Sequence, residues 1–116
     1  TMAKYQIIRS ARLYRQEIAI AALNSGTTRV LAAQAADELL SISGIESSFV
    51  LYPDGNKVIV SARSLGETNV QLILEKLGGG GHFDAAAAQL NNTMDEVYSM
   101  LKSAIDDYLD NKKTTA

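Results

Sequence analysis

The stretch Leu77-Gly78-Gly79-Gly80-Gly81-His82 constrains this chain more than any other. Glycine gives up more backbone freedom on folding than any other residue. Four in a row, set between an apolar helical pattern and an alanine-rich segment, therefore imply a need for bare backbone, either for positive φ or for close approach of a ligand. Consecutive exposed N–H groups form an anion-binding concavity, and a helix beginning just after them would add its dipole. The run is accordingly expected to be a phosphate cradle built by Gly79, Gly80 and Gly81, with His82, the single histidine, at its lip. The alternative is a helix C-cap at Gly78 followed by a flexible loop.

Charge decides what kind of ligand suits such a cradle. With 11 Lys and Arg against 13 Asp and Glu, the net charge is −2. No general attraction to nucleic acid or an acidic membrane surface follows, so any nucleotide contact has to be a local site. The absence of cysteine removes disulfides and thiol chemistry. With one histidine as well, a structural zinc site is not expected. The length of 116 residues suits one domain.

Along the chain, the spacing of Ile8, Arg12 and Arg15 predicts a helix over residues 4–16, whose Arg9, Arg12 and Arg15 face solvent or a partner domain. Residues 17–23 (Glu-Ile-Ala-Ile-Ala-Ala-Leu) are apolar on both alternating faces, as in a strand buried on both sides. Thr27 or Thr28 can cap a helix running to about Leu40, with Leu31, Ala35 and Leu39 inward. Residues 47–52 and 57–63 flank Pro53-Asp54-Gly55-Asn56 and form an antiparallel hairpin. Thr68 and Gln71 fit a capping box for a helix carrying Val70, Ile73, Leu74 and Leu77. A short helical turn and then a strand over 86–90 are expected after His82. Thr93 and Glu96 form a second capping box, opening a helix to about Asp110 with Val97, Leu101, Ala104, Ile105 and Tyr108 inward. The expected fold is α/β, a single domain with a mixed sheet of four to five strands in the order α-β-α-β-β-α-β-α. Residues 17–110 form its core and 111–116 a frayed tail.

Three features can converge on one anion. Ser61 and Arg63 share a strand face by the period of two, and Arg63 offers a planar fork of donors suited to phosphate. The hydroxyl of Ser61 adds a neutral donor, and the glycine amides and His82 take the remaining oxygens. What a hydrolase would need beyond that is missing: no activated nucleophile and no cluster of carboxylates or histidines stands out. No Gly-Lys-Ser/Thr follows the glycines, so they are not a P-loop, and they do not follow a strand as a dinucleotide fingerprint does. The chain is expected to be a binding half, with no catalytic or metal-ligating residues of its own.

Val58-Ile59-Val60-Ser61-Ala62-Arg63-Ser64, Asn69-Val70 and Leu77-Gly78-Gly79-Gly80-Gly81-His82, in this order, resemble the C-terminal substrate-binding domain of DHH-family phosphoesterases. Ala35-Ala36-Asp37-Glu38-Leu39-Leu40, Ser48-Phe49-Val50, Ser64-Leu65-Gly66 and Glu75-Lys76-Leu77 make the chain similar, within that family, to the membrane-anchored cyclic-di-AMP phosphodiesterases of Gram-positive bacteria. The resemblance implies that Ser61 and Arg63 contact phosphate, that Gly79, Gly80 and Gly81 form the glycine loop at the substrate, and that His82 is its histidine. It implies a cyclic or linear adenine dinucleotide as ligand. It also implies an upstream DHH catalytic domain holding two manganese ions, to which residues 1–16 connect, and a parent protein anchored in the membrane with this lobe on its cytoplasmic face. The parent would hydrolyse cyclic-di-AMP to linear pApA, and this lobe alone would be inactive. Two alternatives remain: the lobe of a DHH-family exonuclease or oligoribonuclease, and a non-catalytic RNA-binding module. The acidic balance weighs against a long nucleic-acid track.

Overall fold

The computed structural model describes residues 3–115, with side chains as far as Lys112. Its elements in chain order are α1 (Lys4–Ser10), β1 (Arg12–Tyr14), β2 (Ile18–Ala22), α2 (Arg29–Leu39), β3 (Ser47–Asp54), β4 (Lys57–Ser64), α3 (Val70–Glu75), β5 (Gly80–His82), β6 (Ala85–Leu90) and α4 (Met94–Thr115). The strands form one six-stranded sheet in the order β1-β2-β3-β4-β6-β5. Only β2 and β3 run parallel, and α2 makes the crossover between them. The expected class, a single α/β domain with a mixed sheet, is what forms; the sheet gains two short edge strands.

Alternation along the central strands sorts the core into two layers. Phe49, Leu51, Val58, Val60 and Ala62 pack against α3 and α4, where Val70, Ile73, Leu74, Val97, Leu101 and Ile105 are buried. Ala19, Ala21, Val50 and Tyr52 face the other way, against Ile7 of α1 and Ala32, Ala35, Ala36 and Leu39 of α2. The alanines of α2 let that helix lie close on the sheet, and Ser48 fixes it there by donating to the Ala36 carbonyl at 2.6 Å.

Several expectations are corrected. The helix expected over 4–16 ends at Ser10, and residues 12–14 join the sheet as β1. Arg15 and Gln16 take left-handed φ of 52° and 71°, turning the chain into β2. Arg15 does not face a partner domain: its guanidinium bonds Asp106 and Asp110 of α4, each at 3.1 Å. Helix α3 is capped by Asn69, which accepts from the Leu72 amide at 3.2 Å. Thr68 is instead buried, and its amide bonds Glu46 Oε1 at 2.9 Å. The segment after His82 forms no helical turn, because Gly80–His82 pairs with Ala85–Ala87 as a hairpin. Helix α4 continues to Thr115 rather than stopping near Asp110; Ala116 of the expected tail, like Thr1 and Met2 at the other end, lies outside the described residues.

The second capping box is formed. Glu96 Oε1 accepts from the Thr93 amide at 2.9 Å, and Thr93 Oγ1 accepts from the Glu96 amide at 3.2 Å. The Thr93 backbone amide first, then the Thr93 and Asn92 side chains, hold the Glu96 carboxyl below its ordinary value. A carboxylate whose folded pKa is depressed contributes stability above its unfolded value near 4.5 and loses it as pH falls through the folded value. Thr93→Ala is therefore expected to destabilise the domain by about 1 kcal/mol at neutral pH. Loss of that hydroxyl acceptor does not depend on pH; Glu96→Ala, which removes the carboxylate bonded to the Thr93 amide, should instead cost stability at pH 7 and progressively less below about pH 4.5. Denaturant titrations of both variants at pH 7 and pH 3.5 check this; an equal difference for Glu96→Ala at both values counts against the carboxylate half of the capping box.

Candidate nucleotide-binding groove

Strand pairing places the expected site residues on two neighbouring rungs of the sheet. Ser48, Arg63, Ala85 and His82 lie across β3, β4, β6 and β5 on one rung. Val50, Ser61, Ala87 and Gly80 make the next, and Tyr52, Ile59 and Gln89 the third. All belong to the face that carries α2. That helix lies over β3 and the near side of β4, with α1 beside it over β2, and leaves the β6–β5 side of the face open. A cleft of about 280 Å³ results, walled by Arg29 and Ala33 of α2 and floored by Ser61, Arg63, Gly80 and the alanines of β6. The floor is low because its side chains are small: Ala85, Ala87 and Gly80 project at most a methyl group.

Arg63 and His82 stand on the same rung with one alanine strand between them. At one strand spacing each, their backbones are about 10 Å apart, room for one tetrahedral anion between two donors. The Arg63 guanidinium is held at its base. Nε pairs with Asp37 of α2 at 3.1 Å, and Nη1 donates to the Ala62 carbonyl at 2.8 Å. Its side chain is 22% exposed, while the Asp37 side chain is 64% exposed. The pair therefore orients the arginine more than it stabilises the fold, since exposed ion pairs contribute little. Ser61 is nearly buried on the floor. His82 is exposed and sits outside the cleft lining, at its rim.

The glycines act differently from one another. Gly78 takes φ +84° and ends α3. The Gly79 amide donates to the Leu74 carbonyl at 2.8 Å, so it is not one of the free donors expected for an anion nest. A Cβ on Gly79 would fall on the Ala87 carbonyl oxygen and lie 2.7 Å from Ala88 Cα, and one on Gly81 would lie 2.6 Å from both the Ala85 oxygen and Ala86 Cα. These two glycines let β5 press onto β6. Gly80 has nothing within 4 Å of an added Cβ, as at Gly78, but without positive φ, and it opens on the cleft. The run is thus part structural seam and part cleft floor, a division that four identical letters conceal.

Arg29, Asp37 and Tyr52 were not singled out from sequence. A signal was present for the first two: Arg29, Ala33 and Asp37 recur every four residues, one stripe of a helix. Tyr52 is almost buried beneath them. Burial foremost, then the Asp54 carboxylate, pushes its hydroxyl pKa up, and the Arg29 charge opposes them. Among the described residues no three His, Cys, Asp or Glu side chains gather to hold a metal ion. No helix among them is long and apolar enough to cross a membrane.

The family model of the DHHA1 domain matches residues 15–111. The cyclic-di-AMP phosphodiesterase GdpP of Bacillus subtilis (strain 168) is 48% identical over 111 residues, covering 90% of this chain and 17% of the relative. The cyclic-di-AMP phosphodiesterase PdeA of Listeria monocytogenes is 48% identical over 109 residues, 89% of this chain and 16% of the relative. This chain thus spans about a sixth of the length of the curated relatives it matches. An exopolyphosphatase-related protein from Bacteroides fragilis superposes with TM-score 0.80 at 22% identity, over 90% of this chain and 33% of that one. At that identity the likeness is one of fold.

Proposed function

We propose, because this chain belongs to the DHHA1 domain family, that it is the nucleotide-binding lobe of a cyclic-di-AMP phosphodiesterase. The observation that carries the reading is the rung joining Arg63 to His82 across the alanine floor, with Ser61 and Gly80 on the next. A forked cation, a small hydroxyl and a bare backbone face one open cleft, an arrangement that suits a phosphate with a flat group beside it. The identity to GdpP and PdeA supports a cyclic or linear adenine dinucleotide as the ligand. Hydrolysis belongs in this reading to a metal-holding catalytic domain of the same protein, with manganese as its ion. The parent is membrane-anchored, and this lobe lies on the cytoplasmic side. The lobe's part is to bind and orient; Arg63 and Ser61 take phosphate oxygens and Asp37 holds the arginine.

Calorimetric titration with cyclic-di-AMP, linear pApA and a short single-stranded RNA, each at two salt concentrations, tests this. Saturable but weak binding of the dinucleotides is expected, since one lobe supplies only part of a cleft, together with a shallow salt dependence. Preference for RNA with affinity falling steeply in salt would favour the nuclease lobe or RNA module instead.

A further inference from the structure

The cleft does not end at Ser61. Past Ile59 it opens into a trough of about 680 Å³ that shares Arg29, Tyr52, Ile59 and Ala87 with it and adds Asp54 and Gln89. Arg29 begins α2 and Asp37, the partner of Arg63, lies eight residues on along the same stripe. At 1.5 Å per residue the two positions are about 12 Å apart along the helix. Both arginines therefore border one continuous groove, Arg63 at one end and Arg29 toward the other. They differ in state: Arg63 is paired with Asp37, whereas Arg29 is exposed and makes no ion pair among the described residues. Beside Arg29 the floor is again bare, made by Ala87, Ala88 and Gly79, and Gln89 projects from the third rung. A glutamine amide presents a donor and an acceptor together, the pattern that pairs with the N6 and N7 edge of adenine.

We propose that this trough is a second nucleotide subsite, in which Arg29 takes the second phosphate of a dinucleotide and Gln89 meets the edge of an adenine. The inference rests on reading the groove as a nucleotide site and goes beyond it by assigning the half of the ligand that Arg63 does not reach. It makes the groove a two-phosphate track and ties base preference to Gln89.

The test is amide shift mapping of this chain by NMR with AMP, linear pApA and its guanine counterpart, for the native sequence and Arg29→Gln. AMP is expected to move residues around 61–63 and 80–87. Linear pApA should move these and a second set around 28–30, 54 and 89. Arg29→Gln should weaken pApA about tenfold, the worth of one charge-assisted contact, and weaken AMP, whose phosphate is held by Arg63, distinctly less. The guanine dinucleotide should bind less tightly than pApA. If pApA moves only the first set, or binds Arg29→Gln as tightly as the native chain, the second subsite falls while the first stands. If neither ligand moves any residue at millimolar concentration, the nucleotide reading falls and the subsite with it. A guanine dinucleotide that binds as tightly as pApA removes Gln89 from the proposal. The native shift map decides these points even if the variant folds poorly.

Discussion

Gly79→Ala is expected to lower the melting temperature by on the order of 10–20 °C, and Gly80→Ala to leave it within a degree or two. The two positions adjoin and carry the same residue, yet only one is closed. A methyl group at Gly79 meets the Ala87 carbonyl and the Ala88 backbone. Neither can swing aside as the tip of a flexible side chain can, because both belong to β6, which is hydrogen-bonded to β4 on its far side. Overpacking against a well-packed neighbour costs typically about 1–3 kcal/mol, and fixed backbone places this case at about 3 kcal/mol. The Gly79 amide is also the donor to Leu74 that terminates α3, so displacing it loosens the helix that buries Ile73 and Leu74. At Gly80 the added carbon meets open space and φ is not positive. Thermal melts of the two variants decide the point. Equal melting temperatures would mean that β5 does not press on β6, and the glycine run would revert to a ligand loop throughout.

That contrast marks where the sequence stopped being legible. The apolar periodicities of 47–52, 57–63, 70–77 and 97–108 found their faces, because burial of Phe49, Val60, Ile73 and Leu101 dominates anything local. Both strands that escaped notice lie at sheet edges and are three residues long. The turn from β1 to β2 uses Arg15 and Gln16 at positive φ, where glycine or asparagine would have given a signal. The Asp106 and Asp110 carboxylates on Arg15 hold a conformation that the local residues do not announce. Strand β5 is Gly80-Gly81-His82, without any residue of strand propensity; pairing with the alanines of β6 makes it a strand. The pairing of Ser61 and Arg63 on one face followed from alternation alone. That Gly80 and His82 would share their rungs did not, since register across three strands is set by turns whose geometry the letters leave open.

Arg63→Ala is expected to weaken binding of linear pApA about thirtyfold while leaving the stability of the domain nearly unchanged. The first half follows from the chemistry of the contact. A guanidinium bonded to phosphate contributes about 2 kcal/mol where water is partly excluded, and no other arginine or lysine shares its rung. The second half follows from its surroundings. The Asp37 partner is mostly exposed, which limits the ion pair to a few tenths of a kcal/mol. Ala62 beneath it stays packed against α3 and α4 on the opposite face. Arg63→Lys separates charge from shape: it keeps the cation but loses the fork, and cannot reach Asp37 and a phosphate in two directions at once. Its affinity should fall between those of the native chain and Arg63→Ala. Titration with pApA, paired with a denaturant melt of each variant, reads both quantities. Were Arg63→Ala to bind as tightly as the native chain, the phosphate would have to sit elsewhere along the groove. Were it to unfold the domain, the Asp37 pair would be a structural tie, and the open face over β6 would lose the cation that makes it a site.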